Sequence, residues 1–260
     1  MVSDELKSKA LKIINDNLSL FQIINKKFSL TNEQVLETFI YYNSGVEEID
    51  NSIYDSLEIR AAMFIEYLIK ASWHQERQNI LIEFLNFCNP KTLIDIGFGT
   101  PTKYVNEFVL KTEYIKLTLA DKFDSAFDFA EIVLESWQPS FRNQIAFKKV
   151  DLNYPQYLGD YEAYIFQDTI EHSTNPKEFL TLNVQASLPN SWFIFSLPIA
   201  PIIPCHFISW SNKEDALNWI ESCGLKIIKQ KQVFVNPAID EFAKNLGDIS
   251  NLMLITQKNE

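Results

Sequence analysis

Residues 92–101 read TLIDIGFGTP, the pattern of a buried strand followed by a glycine turn and the start of a helix. Thr92–Ile96 is short, apolar and rich in β-branched residues, as is typical of a parallel strand covered on both faces. Gly97 and Gly99 permit backbone conformations, and a close approach of a ligand, that a Cβ would block. The stretch therefore predicts a strand–turn–helix unit of the kind that binds cofactors.

The turn leads into a predicted helix N-terminus. Thr100 is a favourable N-cap, and Pro101 suits the first helical position, where no backbone N–H is needed. A helix N-terminus beside the carboxyl end of a strand is a ready place for a polar cofactor. Asp95 lies one residue before the end of the strand, so we expect its side chain to reach a bound polar group.

Acidic residues also stand at or next to the ends of the next three predicted strands, which cover residues 116–120, 145–150 and 163–166. These acids are Asp121, Asp151 and Asp168. Because a parallel sheet brings the carboxyl ends of its strands to one rim, we expect the acids to gather there. Asp121 follows the glycine turn by about twenty residues, the distance at which nucleotide-binding α/β folds hold ribose hydroxyls.

At these positions the chain resembles the class I S-adenosylmethionine-dependent methyltransferases. Residues 95–100, DIGFGT, look like the first motif of that family, and Asp121 matches the acid that binds the ribose diol. Asp151 and Leu152 match the acid-and-apolar pair beside the adenine. Residues 167–176, QDTIEHSTNP, look like the fourth-strand motif of small-molecule methyltransferases, including those of ubiquinone and biotin synthesis. The resemblance extends over roughly residues 90 to 258.

The resemblance implies S-adenosylmethionine as the cofactor. The residues it assigns to cofactor binding are Asp95, Gly97, Phe98, Gly99, Thr100, Asp121, Lys122, Asp151, Leu152, Gln167 and Asp168. Pro101 departs from the family, which usually has a third glycine there; proline stiffens the loop and removes one N–H donor. The implied fold is α/β: a Rossmann-like seven-stranded, mostly parallel sheet flanked by helices, preceded by an all-helical N-terminal extension.

Three residues are candidates for acid–base chemistry. His172 lies in the loop where the family places the substrate beside the methyl donor, and a neutral imidazole there would take a proton from a hydroxyl or amine. The alternative is a histidine that only braces the turn. Glu171 would bind a substrate ammonium group or cap the following helix. His206 is either catalytic or structural.

No metal centre is predicted. His74 lies on a predicted helix, but neither Glu66 nor Glu76 stands three or four residues from it, as ligands on one helical turn would. The cysteines are widely spaced and form neither a metal-binding pair nor a disulfide framework, which indicates a reducing compartment. They are Cys88, Cys205 and Cys223.

The composition indicates a globular enzyme. The chain has 260 residues and a formal net charge of -11. An acidic balance without a dense Lys/Arg run argues against nucleic-acid binding, which needs cations on the phosphates. The N-terminus lacks the apolar core of a signal peptide, and no segment is long and apolar enough to span a bilayer. We expect a soluble cytoplasmic protein that binds neither nucleic acid nor membrane.

The chain divides near Pro90 into a helical extension, residues 1–89, and a cofactor-binding domain, residues 90–260. The extension shows a capping box over residues 31–34, a polar loop over residues 44–52, and one long helix or two consecutive helices over residues 56–87. Its expected role is either to cover the cofactor and shape the substrate pocket, using residues 54–73, or to mediate packing or homodimerisation.

The last third of the chain continues the alternation of helices and strands. The predicted elements are a helix over 176–188, a strand over 192–197, a helix over 212–223 ended by Gly224, and strands over 225–235 and 252–256. The family resemblance implies that the last two strands form an antiparallel terminal pair. Three prolines between residues 198 and 204 predict a stiff apolar loop in place of a helix or an internal strand.

The leading functional hypothesis is a methyltransferase acting at oxygen or nitrogen of a small metabolite. A protein or peptide methyltransferase that docks its substrate on the helical extension is an alternative. A second alternative is a regulatory protein that binds S-adenosylmethionine without transferring a methyl group. An α/β oxidoreductase is disfavoured because its fingerprint needs three spaced glycines, and Pro101 interrupts that region.

Overall fold

A computed structural model describes residues 4–42, 51–69, 73–200, 206–235 and 249–259. Its strands are β1 (Thr92–Ile96), β2 (Lys116–Asp121), β3 (Ile145–Lys149), β4 (Ala163–Gln167), β5 (Trp192–Ile199), β6 (Leu225–Phe234) and β7 (Ser250–Lys258). They form one sheet in the order β3-β2-β1-β4-β5-β7-β6. The first five strands are parallel, and β7 runs antiparallel to β5 and β6. The predicted mostly parallel sheet with an antiparallel terminal pair is confirmed.

The α-helices cover both faces of the sheet and form the N-terminal region. They are α1 (Asp4–Asp16), α2 (Leu18–Phe28), α3 (Asn32–Tyr42), α4 (Leu57–Ile69), α5 (Trp73–Cys88), α6 (Asp124–Trp137), α7 (Pro176–Ala186) and α8 (Lys213–Ser222). On one face α5 and α6 pack on the sheet, and on the other α7 and α8 do so. Helices α1 to α4 share a third apolar cluster with the outer side of α6. In the described ranges no helix is long and apolar enough to cross a membrane.

Local sequence signals located some helix boundaries. The capping box at the start of α3 is confirmed, because Thr31 N donates to Gln34 Oε1 at 2.8 Å and Gln34 N donates to Thr31 Oγ1 at 3.1 Å. The segment predicted as one helix or two contains α4 and α5. Residues 70–72 between them, and nearly all of the polar loop predicted over 44–52, lie outside the described residues. Helix α2 lies in the extension that the sequence predicts to be all-helical, although no bounds were predicted for it, and α6 was not predicted.

The predicted helix start at Thr100 and Pro101 is wrong. The chain becomes helical only at Lys103 and continues as a π-helix, Val105–Val109. An N-cap side chain must accept a hydrogen bond from the first turn, and the buried Thr100 hydroxyl makes none in the described structure. Gln78 of α5 supplies the acceptor instead, because its Oε1 takes the N–H of Tyr104 at 3.3 Å.

The predicted end of β5 before Pro198 is also wrong. The strand runs on to Ile199, and Pro198 pairs with Asn251 of β7. The last pair between β4 and β5 joins Gln167 to Ser196, so β4 has ended before the proline is reached. With only one neighbouring strand at this point, β5 tolerates a residue that lacks an N–H. Residues 201–205 of the predicted proline loop lie outside the described ranges.

The strand order fixes where a ligand would bind. From β1 the chain first builds outward to β2 and β3, and it then returns to add β4 and β5 on the other side of β1. Loops leaving β1 and β4 therefore turn in opposite directions, which opens a crevice at the carboxyl ends of these two strands. The glycine turn follows β1, and the segment from Asp168 to His172 follows β4.

Candidate functional site

The turn after β1 is closely packed against the loop after β4. Gly97 and Gly99 adopt left-handed backbone conformations, with φ of 66° and 63°. A Cβ on Gly97 would lie 2.3 Å from Thr169 Cγ2, so only glycine fits at this contact. The Thr169 hydroxyl also donates to Gly97 O at 3.3 Å. The two loops thus form one continuous rim above the crevice.

Asp95 lies beneath this rim and is buried. Tyr104 OH donates to Asp95 Oδ2 at 2.6 Å, and Gln167 Nε2 donates to the same oxygen at 3.2 Å. Its other oxygen, Oδ1, has no hydrogen-bond partner within the described part of the chain. Burial raises the pKa of Asp95 to about 7, against the effect of these two donors. The carboxyl group therefore has one oxygen fixed by the protein and one left for a ligand.

Stability should depend on pH through Asp95. Burial raises its pKa from 3.8 in the unfolded chain to about 7, so the folded protein retains a proton that the unfolded chain releases. The free energy of unfolding should then fall as pH rises from about 4 to about 7, by up to about 4 kcal/mol. Urea unfolding of wild type and Asp95→Asn across this range isolates the contribution. Parallel pH profiles for the two proteins would contradict the assignment.

Asp121, at the end of β2, is paired with a cation from the N-terminal helices. Arg60 of α4 is buried, its Nη2 lies 3.4 Å from Asp121 Oδ1, and its Nη1 donates to Gly99 O at 3.0 Å. Burial lowers the Arg60 pKa, and the charge of Asp121 opposes that effect. A Cβ on Gly99 would lie 2.8 Å from Met63 Cε, so α4 covers the second glycine too. Helix α4 therefore lies directly over the turn and over the acid expected to bind the ribose.

Asp168, at the end of β4, is paired with a second buried arginine. Arg77 of α5 contacts Asp168 Oδ2 through Nη1, and the same nitrogen donates to Ser196 Oγ at 3.1 Å. Asp168 Oδ1 accepts from Asn251 Nδ2 at 2.6 Å and from Ser196 Oγ at 2.9 Å. The other guanidinium nitrogen, Nη2, lies 2.9 Å from His74 Nδ1. Four segments distant in sequence meet at this carboxylate.

Sequence reasoning identified neither arginine, although a signal was present for Arg60. It stands in the largely apolar α4, and a cation buried among apolar residues needs an anionic partner. His74 likewise contacts a partner that lies on a different helix: its Nε2 is 3.1 Å from Glu66 Oε1 of α4. Spacing along a single helix does not reveal such a contact.

The three candidate acid–base residues lie together beside the carboxyl end of β4. Glu171 and His172 stand on a short 3-10 turn, Ile170–His172, and His206 lies in the segment after β5. Their ligand atoms are within 4.8 Å of one another, and the two imidazole rings are perpendicular, with centroids 4.8 Å apart. Burial raises the pKa of Glu171 to about 8. Burial and the proximity of His172 lower the pKa of His206 to about 3.

The remaining residues expected to bind the cofactor stand in the segments that follow β1, β2 and β3. Phe98 and Thr100 are buried in the turn. Lys122 extends its ammonium group over the aromatic ring of the next residue, 4.5 Å from the centroid. Asp151 is half-buried and accepts the backbone N–H two residues further on at 3.0 Å. Leu152 packs against the apolar cluster under α7 and α8.

Comparison with known proteins gives similarity in structure alone. No family model matches the sequence, and none of the curated proteins matches it. Many solved structures share its architecture. An O-methyltransferase family protein from Burkholderia thailandensis has a TM-score of 0.61 at 10% identity, covering 87% of this chain and 72% of that one. The N-methyltransferase NodS from Bradyrhizobium japonicum WM9, in complex with S-adenosyl-L-homocysteine, has a TM-score of 0.57 at 16% identity, covering 81% and 100%.

The chain has the class I methyltransferase fold. The fold implied by the sequence resemblance is thereby confirmed. The same class I methyltransferase fold also occurs in the [4+2]-cyclase SpnF, which has a TM-score of 0.55 at 14% identity and covers 73% of this chain and 83% of that one. A fold shared with a cyclase does not by itself determine the reaction, which has to be argued from the residues of the site.

Proposed function

We propose that this protein is an S-adenosylmethionine-dependent methyltransferase acting at oxygen or nitrogen of a small metabolite. The observation that carries the proposal is the crevice at the carboxyl ends of β1 and β4. A turn whose two glycines leave no room for a Cβ, and the carboxylate of Asp121, lie at its edge. A dinucleotide or nucleoside ligand binds at this place in open α/β sheets. NodS, which shares the fold, is in complex with S-adenosyl-L-homocysteine.

The residues around the crevice fit S-adenosylmethionine. Asp95 Oδ1 and Thr100 Oγ1 are buried and have no hydrogen-bond partner among the residues described, so the turn keeps polar capacity for a ligand. Asp121 is held by Arg60 through a single long contact of 3.4 Å. Arg60 and Met63 cover the turn with the ends of flexible side chains, which a ligand displaces at lower cost than backbone.

Methyl transfer requires the protein mainly to position an acceptor and to exclude water. S-adenosylmethionine supplies an already activated methyl group. Glu171, His172 and His206 lie beside the end of β4, where they would hold the hydroxyl or amine of the acceptor. The N-terminal helices would close this side, since α4 covers the glycine turn and the Tyr54 ring meets the His172 ring edge-on, at 5.9 Å between centroids.

Binding and transfer test the proposal separately. Calorimetry should show that S-adenosylmethionine and S-adenosyl-L-homocysteine bind in preference to NAD, and no binding of either at millimolar concentration would reject it. Metabolite and peptide pools should then be screened for transfer of a labelled methyl group. Transfer to a metabolite supports the proposal, transfer to a peptide supports the docking alternative, and binding without transfer supports a regulatory role.

Asp121→Asn should weaken cofactor binding. A carboxylate that accepts both ribose hydroxyls loses charge-assisted bonds on this change, so calorimetry with S-adenosyl-L-homocysteine should show at least about a tenfold loss of affinity, about 1.5–3 kcal/mol. Asp124→Asn is a matched control, because Asp124 lies three residues away and its carboxylate pairs with Lys149 on the exposed surface. A folded Asp121→Asn protein that binds as tightly as wild type would place the ribose elsewhere.

A further inference from the structure

The cluster beside the end of β4 has the composition of a metal site. One carboxylate and two imidazoles present ligand atoms within 4.8 Å of one another. Imidazole suits transition ions such as Zn²⁺ and Fe²⁺, whereas Mg²⁺ and Ca²⁺ take oxygen ligands. We propose that Glu171, His172 and His206 bind a divalent transition-metal ion. The proposal goes beyond methyl transfer and does not depend on it.

The state of Glu171 points to a ligand. Its side chain is fully buried, and neither carboxylate oxygen makes a hydrogen bond within the described ranges. The backbone N–H of Glu171, the charge of Arg77 and the backbone N–H of Thr169 each lower the pKa of this carboxyl group. None of them lies in hydrogen-bonding geometry to either carboxylate oxygen. A buried carboxylate without a partner is unfavourable, and a bound cation would compensate it.

Backbone hydrogen bonds already join the segments that carry the three residues. Phe207 N donates to Glu171 O at 2.8 Å, and this bond joins the segment that carries His206 to the turn that carries the other two ligands. His172 N donates to Thr169 O at 3.1 Å, which closes that turn. Side-chain rotation is therefore the main adjustment that a metal ion would require.

The geometry is close to that of a bound ion. Ligands at about 2.0–2.1 Å from tetrahedral Zn²⁺ lie about 3.4 Å apart. The three ligand atoms, which lie within 4.8 Å of one another, therefore have to approach one another by at most about 1.4 Å. Three protein ligands leave the fourth position open, as in sites where the ion contacts a substrate. The sequence-based expectation of no metal considered ligands on one helical turn, and here the ligands come from two loops.

Nuclear magnetic resonance of the imidazoles tests the site directly. The chain has three histidines, so without an added tag it should give three ring systems: His74, His172 and His206. Addition of one equivalent of Zn²⁺, without any methyl donor, should shift the ring nitrogens of His172 and His206 and leave those of His74 in place. Unchanged rings in excess Zn²⁺, or a shift of His74 alone, would overturn the proposal.

Variants assign the ligands. Equilibrium dialysis should show that Glu171→Gln and His206→Gln each weaken Zn²⁺ binding by at least about tenfold, with circular dichroism as the check on folding. His74→Gln is the matched control and should retain wild-type affinity. If Glu171→Gln does not fold, His206→Gln on the half-buried ligand decides the question. An unchanged affinity for Zn²⁺ in both ligand variants would refute the metal site. Binding of S-adenosylmethionine is measured separately, and its result does not depend on the outcome for Zn²⁺.

Discussion

Asp168→Ala is expected to lower the free energy of unfolding by about 3–5 kcal/mol, because it removes the carboxylate that contacts the buried guanidinium of Arg77. Arg77 is 1% exposed and the Asp168 side chain 27% exposed, so water replaces the lost carboxylate only in part. The change also leaves Asn251 Nδ2 and Ser196 Oγ without the oxygen to which they donate. Urea unfolding monitored by circular dichroism measures the loss.

Two further variants test whether the loss of stability comes from the burial of the ion pair. Asp168→Asn keeps an acceptor and tolerates the left-handed backbone of this residue, whose φ is 46°, so it should lose less than Asp168→Ala. Glu131→Ala removes the anion from a surface pair with Arg142 and should cost less than about 1 kcal/mol. Equal losses for Asp168→Ala and Glu131→Ala would show that burial of the arginine does not govern the effect.

Gly97→Ala is expected to destabilise the protein by about 3–5 kcal/mol, from two contributions that add. The first is the left-handed backbone, with φ of 66°, which disfavours any residue with a Cβ. The second is steric, because the new Cβ would lie 2.3 Å from Thr169 Cγ2 and 2.8 Å from Thr169 Oγ1. Thermal unfolding together with urea titration gives the total.

Gly224→Ala is the matched control for the backbone contribution. Gly224 also has a left-handed conformation, with φ of 87°, but its nearest new contact would be Val184 Cγ1 at an ordinary 3.7 Å. We expect it to cost about 1–2 kcal/mol. Adding Thr169→Ala to Gly97→Ala should restore part of the steric loss in a double-mutant cycle. If the two glycine variants lose the same stability, close packing of the two loops is not the cause.

The features that the sequence predicts well are those encoded in a few adjacent residues. The apolar β-branched run of β1, the turn at Gly97 and Gly99, and the capping box at Thr31 each depend on neighbours in the chain. The seven-stranded, mostly parallel sheet with an antiparallel terminal pair is implied by the family resemblance rather than by any of these local patterns, and the strand order is seen only in the structure.

The features that it misses depend on partners distant in the chain. Thr100 has the chemistry of an N-cap, but Gln78 of α5 accepts the helix N–H instead. Pro198 is excluded from internal strands in general, and it is accommodated here because β4 ends two residues earlier in the register. Arg60 reaches an acid 61 residues further along the chain, which no local period reveals.

The two buried arginines connect the stability of the whole chain. Arg60 from α4 and Arg77 from α5 neutralise Asp121 and Asp168, and these acids stand at the ends of β2 and β4. If helices α1 to α5 separated from the sheet, both acids would lose their cations, and the outer apolar side of α6 would be exposed to water. The helices and the sheet should therefore unfold in one cooperative transition. A destabilising substitution on α4 should also lower the stability of the loops at the carboxyl ends of the strands.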